Sequence, residues 1–143
     1  MKRNLFIILG IFLIIIVILT YFYYNYKKAV LIASQTNMEY EKYISNSEIK
    51  GSTLLTIINK AVDQNEKNEI AKNEKNRYLE NNENSIKVEV KFKESDKTYA
   101  MEAIYAMGYE EFIKNYSNLN FICSKKEYHK KTNQIKYLLF EQI

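Results

Sequence analysis

The sequence predicts an α+β protein. An N-terminal transmembrane helix continues into a stalk helix, followed by a small head of one or two helices on a three- to four-stranded antiparallel sheet. Three observations carry this expectation. Leu5 to Leu19 is apolar without interruption apart from Gly10. Leu54, Leu55, Ile58, Ala61 and Val62 recur at the spacing of one helix face. Ile86, Val88, Val90 and Phe92 alternate with Lys87, Glu89, Lys91 and Lys93, the period of a strand.

The apolar segment sets the domain plan. At 1.5 Å per residue, Leu5–Leu19 covers only about 22 Å of a roughly 30 Å bilayer core. Thr20 and the aromatics through Tyr26 bring the span to about 33 Å. Tyr21, Phe22, Tyr23, Tyr24 and Tyr26 then form an interfacial belt, with Lys27 and Lys28 at the headgroups. Residues 1–4 read as a cytoplasmic tail, 5–26 as the transmembrane helix, 27–50 as stalk helix and turn, and 51–143 as a small extracytoplasmic α+β domain. The small residues of a secretory cleavage site are missing after the run, where the chain is Tyr-rich, and no Cys follows it. The segment is therefore expected to stay as a single-pass signal anchor. Lys2, Arg3 and the amino terminus oppose Lys27 and Lys28, which favours a cytoplasmic N-terminus with the C-terminal domain outside.

Setting aside the anchor leaves about 115 residues, enough for one small domain with a single core. Neither Gly nor Pro interrupts Ile11–Lys50, so a helix is expected to continue to about Tyr43. "SNSEIKG", 45–51, is turn material, and Ser52 or Thr53 is a suitable cap for the next helix. In that helix Asn59, Lys60, Asp63 and Gln64 lie opposite the apolar stripe, so the stripe must cover a core. Residues 65–85 are polar and of low complexity, a surface loop with a short strand expected at Arg77–Glu80. The strand at 86–92 has one apolar and one charged face, and "SDK" ends it as a turn. Tyr99–Tyr116 returns to helical spacing through Met101, Ile104, Tyr105, Gly108 and Phe112, with Gly108 placed to kink or divide it. Leu119–Tyr128 and Gln134–Glu141 form a hairpin across "HKKTN". Its second arm is apolar on both faces, as expected of an inner or covered strand.

The composition restricts function. Net charge is +4, and Lys2 with Arg3 accounts for two of those charges. The only other arginine is Arg77, so the bidentate contacts of nucleic-acid readers are scarce and nucleic acid is not an expected partner. The lone Cys123, between Ile122 and Ser124, rules out an internal disulfide and reads as a small buried hydrophobe. His129 is the single histidine and reads as a surface residue of the hairpin turn. Cys123, Glu127 and His129 share a face of an ideal strand but match no zinc pattern. There is no phosphate-binding loop, and Glu110 and Glu111 point apart on a helix. The expectation is a protein without catalytic residues, cofactor, metal or small-molecule substrate. Lys125, Lys126, Lys130 and Lys131 gather around Tyr128 at the hairpin tip. They could contact an anionic surface, or serve as lysines that discourage edge pairing.

The basic N-terminus, the apolar helix running into a stalk and the small α+β head resemble the layout of type IV pilin-like proteins. "GSTLLTIINKA", 51–61, is similar to a stretch of pseudopilin-like and tight-adherence-type membrane-anchored proteins of low-GC bacteria. Gly10 lies within the apolar run and its fifth successor is Ile15, so no residue of that family's processing site is carried over. The resemblance implies a structural or assembly subunit of a pilus- or secretion-like surface system, associating through membrane helix and stalk. The residues also allow a solitary anchored module that binds an extracytoplasmic protein or cell-envelope partner. Its bilayer partner is common to both.

Overall fold

A computed structural model describes residues 2–45, 48–94 and 97–143. Asn46, Ser47, Ser95 and Asp96, in two of the expected turns, lie outside the described residues. The order of elements is α1 (Lys2–Ile44), β1 (Ile49–Lys50), α2 (Gly51–Lys67), β2 (Lys87–Lys91), β3 (Thr98–Ala100), α3 (Met101–Met107), α4 (Tyr109–Tyr116), β4 (Asn120–Tyr128) and β5 (Ile135–Gln142). The chain divides into two compact units, Met1–Ile32 and Ala33–Ile143.

The first unit is the apolar part of α1. Among the described residues α1 is the one helix long and apolar enough to cross a membrane, and none of its most apolar window is buried. Two of its polar side chains bond their own helix. Thr20 Oγ1 donates to the Ile16 carbonyl at 2.8 Å, and Asn25 Nδ2 to the Tyr21 carbonyl at 3.0 Å. Local satisfaction of this kind lowers the cost of apolar surroundings.

The second unit is an α+β domain on a five-stranded sheet of order β1-β4-β5-β2-β3. β1–β4, β4–β5 and β2–β3 are antiparallel, but β2–β5 is parallel. The expected three- to four-stranded antiparallel sheet is thus corrected to a five-stranded mixed one. Alternation in β2 reports which face is buried and carries no information on neighbour or direction. The parallel pair arises because the chain passes through β3, α3, α4 and β4 before β5 returns beside β2.

Side-chain alternation explains the core. Ile86, Val88, Val90 and Phe92 are all buried, while Lys87, Lys91 and Lys93 are exposed. β5 lies at the centre of the sheet, as its two apolar faces suggested. A register shift between Glu127 and Tyr128 changes its parity, so Ile135, Leu138 and Phe140 are the residues that reach the core. Leu54, Leu55, Ile57, Ile58, Ala61 and Val62 of α2 pack against this face. From the C-terminal part of α1, Ala33, Tyr40 and Ile44 are buried in the same unit.

Three helices follow β1, where one or two were expected. Gly108 divides the expected third helix by adopting φ +90°, a conformation that L side chains rarely take. The helix also begins later than Tyr99, because Thr98–Ala100 pairs with β2 as β3. The α2 start differs from expectation too. Lys50 holds the cap position in extended conformation with no side-chain cap, and neither Ser52 nor Thr53 serves. Instead Gly51 N–H donates to the Leu119 carbonyl at 2.9 Å and Ser52 N–H to the Ser117 carbonyl at 3.3 Å. Two amides left open at the helix start are met by the α4–β4 connection. In place of a short strand at Arg77–Glu80 there is a single bridge, Lys72 to Tyr78, inside a narrow arm closed by Leu79 N–H to the Ala71 carbonyl.

Candidate functional site: the apolar helix and the lysine-rich hairpin

On the first unit, Tyr21, Phe22, Tyr23, Tyr24 and Tyr26 are each more than half exposed, and Lys27 and Lys28 are exposed. The Lys27 ammonium lies 5.7 Å from the centroid of the Tyr23 ring, one helical turn back. Beyond that contact and the edge-to-face pair of Tyr21 and Phe22, with centroids 6.0 Å apart, the belt rings make no ring contact among the described residues. Their exposed rings and following cations suit an apolar-to-aqueous boundary.

On the second unit, the β4–β5 hairpin carries the lysines, and the structure gives most of them a partner. Lys126 Nζ meets Glu41 Oε1 at 2.7 Å, and the Tyr128 hydroxyl donates to the same oxygen at 3.1 Å. The Lys126 hydrogen bond holds the Glu41 carboxyl below its ordinary range and, reciprocally, Glu41 raises the Lys126 ammonium. Lys125 pairs with Glu127 at 2.7 Å, and Lys131 pairs with Glu83. Lys130 is exposed and forms no ion pair among the described residues. Three of the four lysines are thus engaged in ion pairs. Lys126 braces α1 and Lys131 the 80–85 loop against the hairpin, Lys125 pairs within β4, and Lys130 stays at the tip.

His129 departs from expectation. It is 3% exposed, and its Nε2 lies 2.7 Å from the Ser85 carbonyl, to which it must donate. Its backbone closes the hairpin, donating to the Gln134 carbonyl and accepting from Asn133 N–H. It is a buried structural residue rather than a surface histidine. The local sequence is uniformly polar and gave no sign of this, because the partner lies in a distant loop. Cys123 is half-buried against the core, and burial pushes its thiol above the ordinary range. Its Sγ contacts the Lys125 carbonyl at 3.5 Å, and a register shift between Cys123 and Lys125 breaks the common face imagined for Cys123, Glu127 and His129. Among the described residues no three His, Cys, Asp or Glu side chains converge on a point that could hold a metal ion.

No family model, curated protein or solved structure matches the chain. The geometry alone must carry the functional reading.

Two asparagines that sequence reading passed over do much of the positioning. Asn65, fully buried on α2, donates to the Ile86 carbonyl at 2.7 Å and accepts from Ile86 N–H at 2.8 Å. Asn37 of α1 donates to the Asn133 carbonyl at 2.7 Å and accepts from Ile135 N–H at 2.8 Å. Each clips a helix to the start of a strand through both groups of its amide. Asn65 follows Ala61 and Val62 at helical spacing, a polar residue in an apolar stripe, and that was its available signal. Asn37 had none.

Proposed function

We propose that the chain is a single-pass, non-enzymatic membrane protein. Its α+β domain lies outside the cytoplasm and serves as a structural or assembly subunit of a pilus- or secretion-like surface system. One observation carries the reading. Over the first unit α1 runs apolar from Leu5 to Leu19 with its large side chains exposed, and its C-terminal part contributes Ala33, Tyr40 and Ile44 to the core of the second. A soluble helix with that much bare apolar surface would cost on the order of 1 kcal/mol or more per large side chain left in water. A bilayer removes this cost. The C-terminal part of α1 is thus a piece of the domain's own core. The layout supports the pilin-like reading in this respect.

Two measurements test it. For orientation, Lys130→Cys in a Cys123→Ser background places a thiol at the exposed hairpin tip. An impermeant maleimide should label it in intact cells, and labelling only after permeabilisation would overturn the extracytoplasmic placement. For assembly, photo-crosslinkers at the exposed Leu31 and Met38 should give ladders of self-crosslinked chains in native membranes. A single product with a different protein would replace the assembly reading with that of an anchored binding module.

A further inference from the structure

A cleft of about 240 Å³ opens between the 71–79 arm and the beginning of β2. Its walls include Arg77, Tyr78, Leu79, Lys87, Glu102 and Lys136, with Ile86 and Ala100 at its base. None of the roles described above uses it.

Its cations are unequal. Lys136 is shared between Glu80 at 3.1 Å and Glu127 at 3.6 Å, and Lys87 is held by Glu89 at 2.7 Å. The backbone of Arg77, the domain's single arginine, bonds Asn73, but its guanidinium forms no ion pair or hydrogen bond among the described residues, although its charge reaches Glu89. Of the two carboxylates in the walls, Glu80 is held by Lys136, and Glu102 accepts the Tyr78 N–H at 2.9 Å. The uncommitted charge is a guanidinium, whose planar fork fits a carboxylate with two parallel bonds.

The backbone on one wall is open as well. β3 pairs with β2 only from Glu89 onward, so among the described residues Lys87 and Val88 have no strand neighbour on that side. Successive strand residues alternate in direction, so one of the two turns its N–H and C=O away from β5. An open strand edge is the surface that extended peptides add to. The volume limits what enters. Whole small-molecule ligands occupy about 300–1,000 Å³. This cleft takes less, and suits the end of a chain whose remainder lies in solvent. Ile86, Ala100 and Leu79 offer apolar surface for a small aliphatic side chain.

We propose that the cleft binds the C-terminal end of an extended peptide, with Arg77 receiving the terminal carboxylate, the open edge of β2 its backbone, and Ile86 and Ala100 a small apolar last side chain. This site stands apart from the anchor reading and needs neither a given orientation nor self-association.

The test uses the full chain in detergent micelles and a fluorescein-labelled peptide ending in Ala-Ala. Anisotropy is read for the free carboxylate and for the C-terminal amide. The acid form should bind saturably and about tenfold or more tighter than the amide, the worth of a charge-assisted hydrogen-bonded pair. Arg77→Gln should erase that preference, and Arg77→Lys, lacking the fork, should retain only part of it. Arg77 is exposed, so the thermal melts of both variants should match the parent. Equal binding of acid and amide, a preference that survives Arg77→Gln, or no saturable binding of either peptide would overturn the proposal. Displacement by inorganic phosphate as effective as that by unlabelled acid peptide would overturn it too, because it would reveal an anion site indifferent to the chain.

Discussion

Gly51 stands directly against the backbone of Tyr116: a Cβ on Gly51 would lie 1.9 Å from the Tyr116 carbonyl oxygen and 2.7 Å from its carbon. The contact joins the first residue of α2 to the end of α4. It is the reason a glycine occurs here despite an ordinary backbone conformation.

Gly51→Ala is expected to destabilise the domain by at least about 2 kcal/mol, lowering Tm by about 10 °C. The obstructing atoms are backbone and cannot rotate aside. Circular dichroism melts of the full chain in detergent, followed at the β-sheet signal, measure the shift. An unchanged Tm would mean that α4 moves freely relative to α2.

Asn65→Leu removes both bonds to Ile86 and strands its N–H and C=O in a buried position. The expected loss is about 2–4 kcal/mol by denaturant titration. Asn65→Asp should recover part of it. The carboxylate still accepts from Ile86 N–H, but it cannot donate to the carbonyl. A leucine variant as stable as the parent would show that the clip contributes nothing.

Tyr40 poses the opposite case. It is 0% exposed, and its hydroxyl finds no hydrogen-bond partner among the described residues. Burial pushes the phenol well above its ordinary range. Tyr40→Phe keeps the ring and deletes the orphaned group, so stability should stay level or rise by up to about 1 kcal/mol. A loss of more than that in the same titration would reveal a bond made by the hydroxyl in solution.

Acid should loosen α1 from the domain. Lys60, at 2.7 Å, holds the Glu39 carboxyl below its ordinary value of 4.5, and Lys126 does the same for Glu41. Folded values below the unfolded ones mean that both carboxylates contribute in full above the unfolded value. The contribution is lost as pH falls through the folded values. Each pair is largely exposed and is worth at most about 1 kcal/mol. Stability should therefore decline modestly between about pH 5 and pH 3, and Glu41→Gln should flatten that decline while lowering the neutral-pH value. An identical slope in the variant would assign the acid sensitivity elsewhere.

The sequence made some of these elements legible and hid others for physical reasons. β2 was readable because one face is entirely apolar and the other entirely charged, so local pattern and burial coincide. α2 was readable for the same reason, since each residue of its apolar stripe is buried. Gly108 marked a break because its conformation is costly for any other residue. What stayed hidden depends on residues far apart in the chain. His129 looks like turn chemistry until Ser85 covers it, and Asn37 is one polar residue among several until Ile135 meets it. β3 is three residues long and passes into α3 without a spacer, so its strand character was lost in the helical period that follows. The candidate cleft was equally illegible: Arg77, Lys87 and Lys136 come from three separated segments.

The parallel pairing of β5 with β2 has a consequence for the order of events during synthesis. The fifth strand is the keystone of the sheet, with β4 and β1 on one side and β2 and β3 on the other. Until it is added, the earlier strands form two unjoined pairs, and Val88, Val90 and Phe121 have only part of their cover. A ribosome that stalls before residue 135 therefore releases a chain with α1 complete and its sheet unassembled. Such a product carries all of α1 and displays the apolar side chains that β5 covers in the finished sheet.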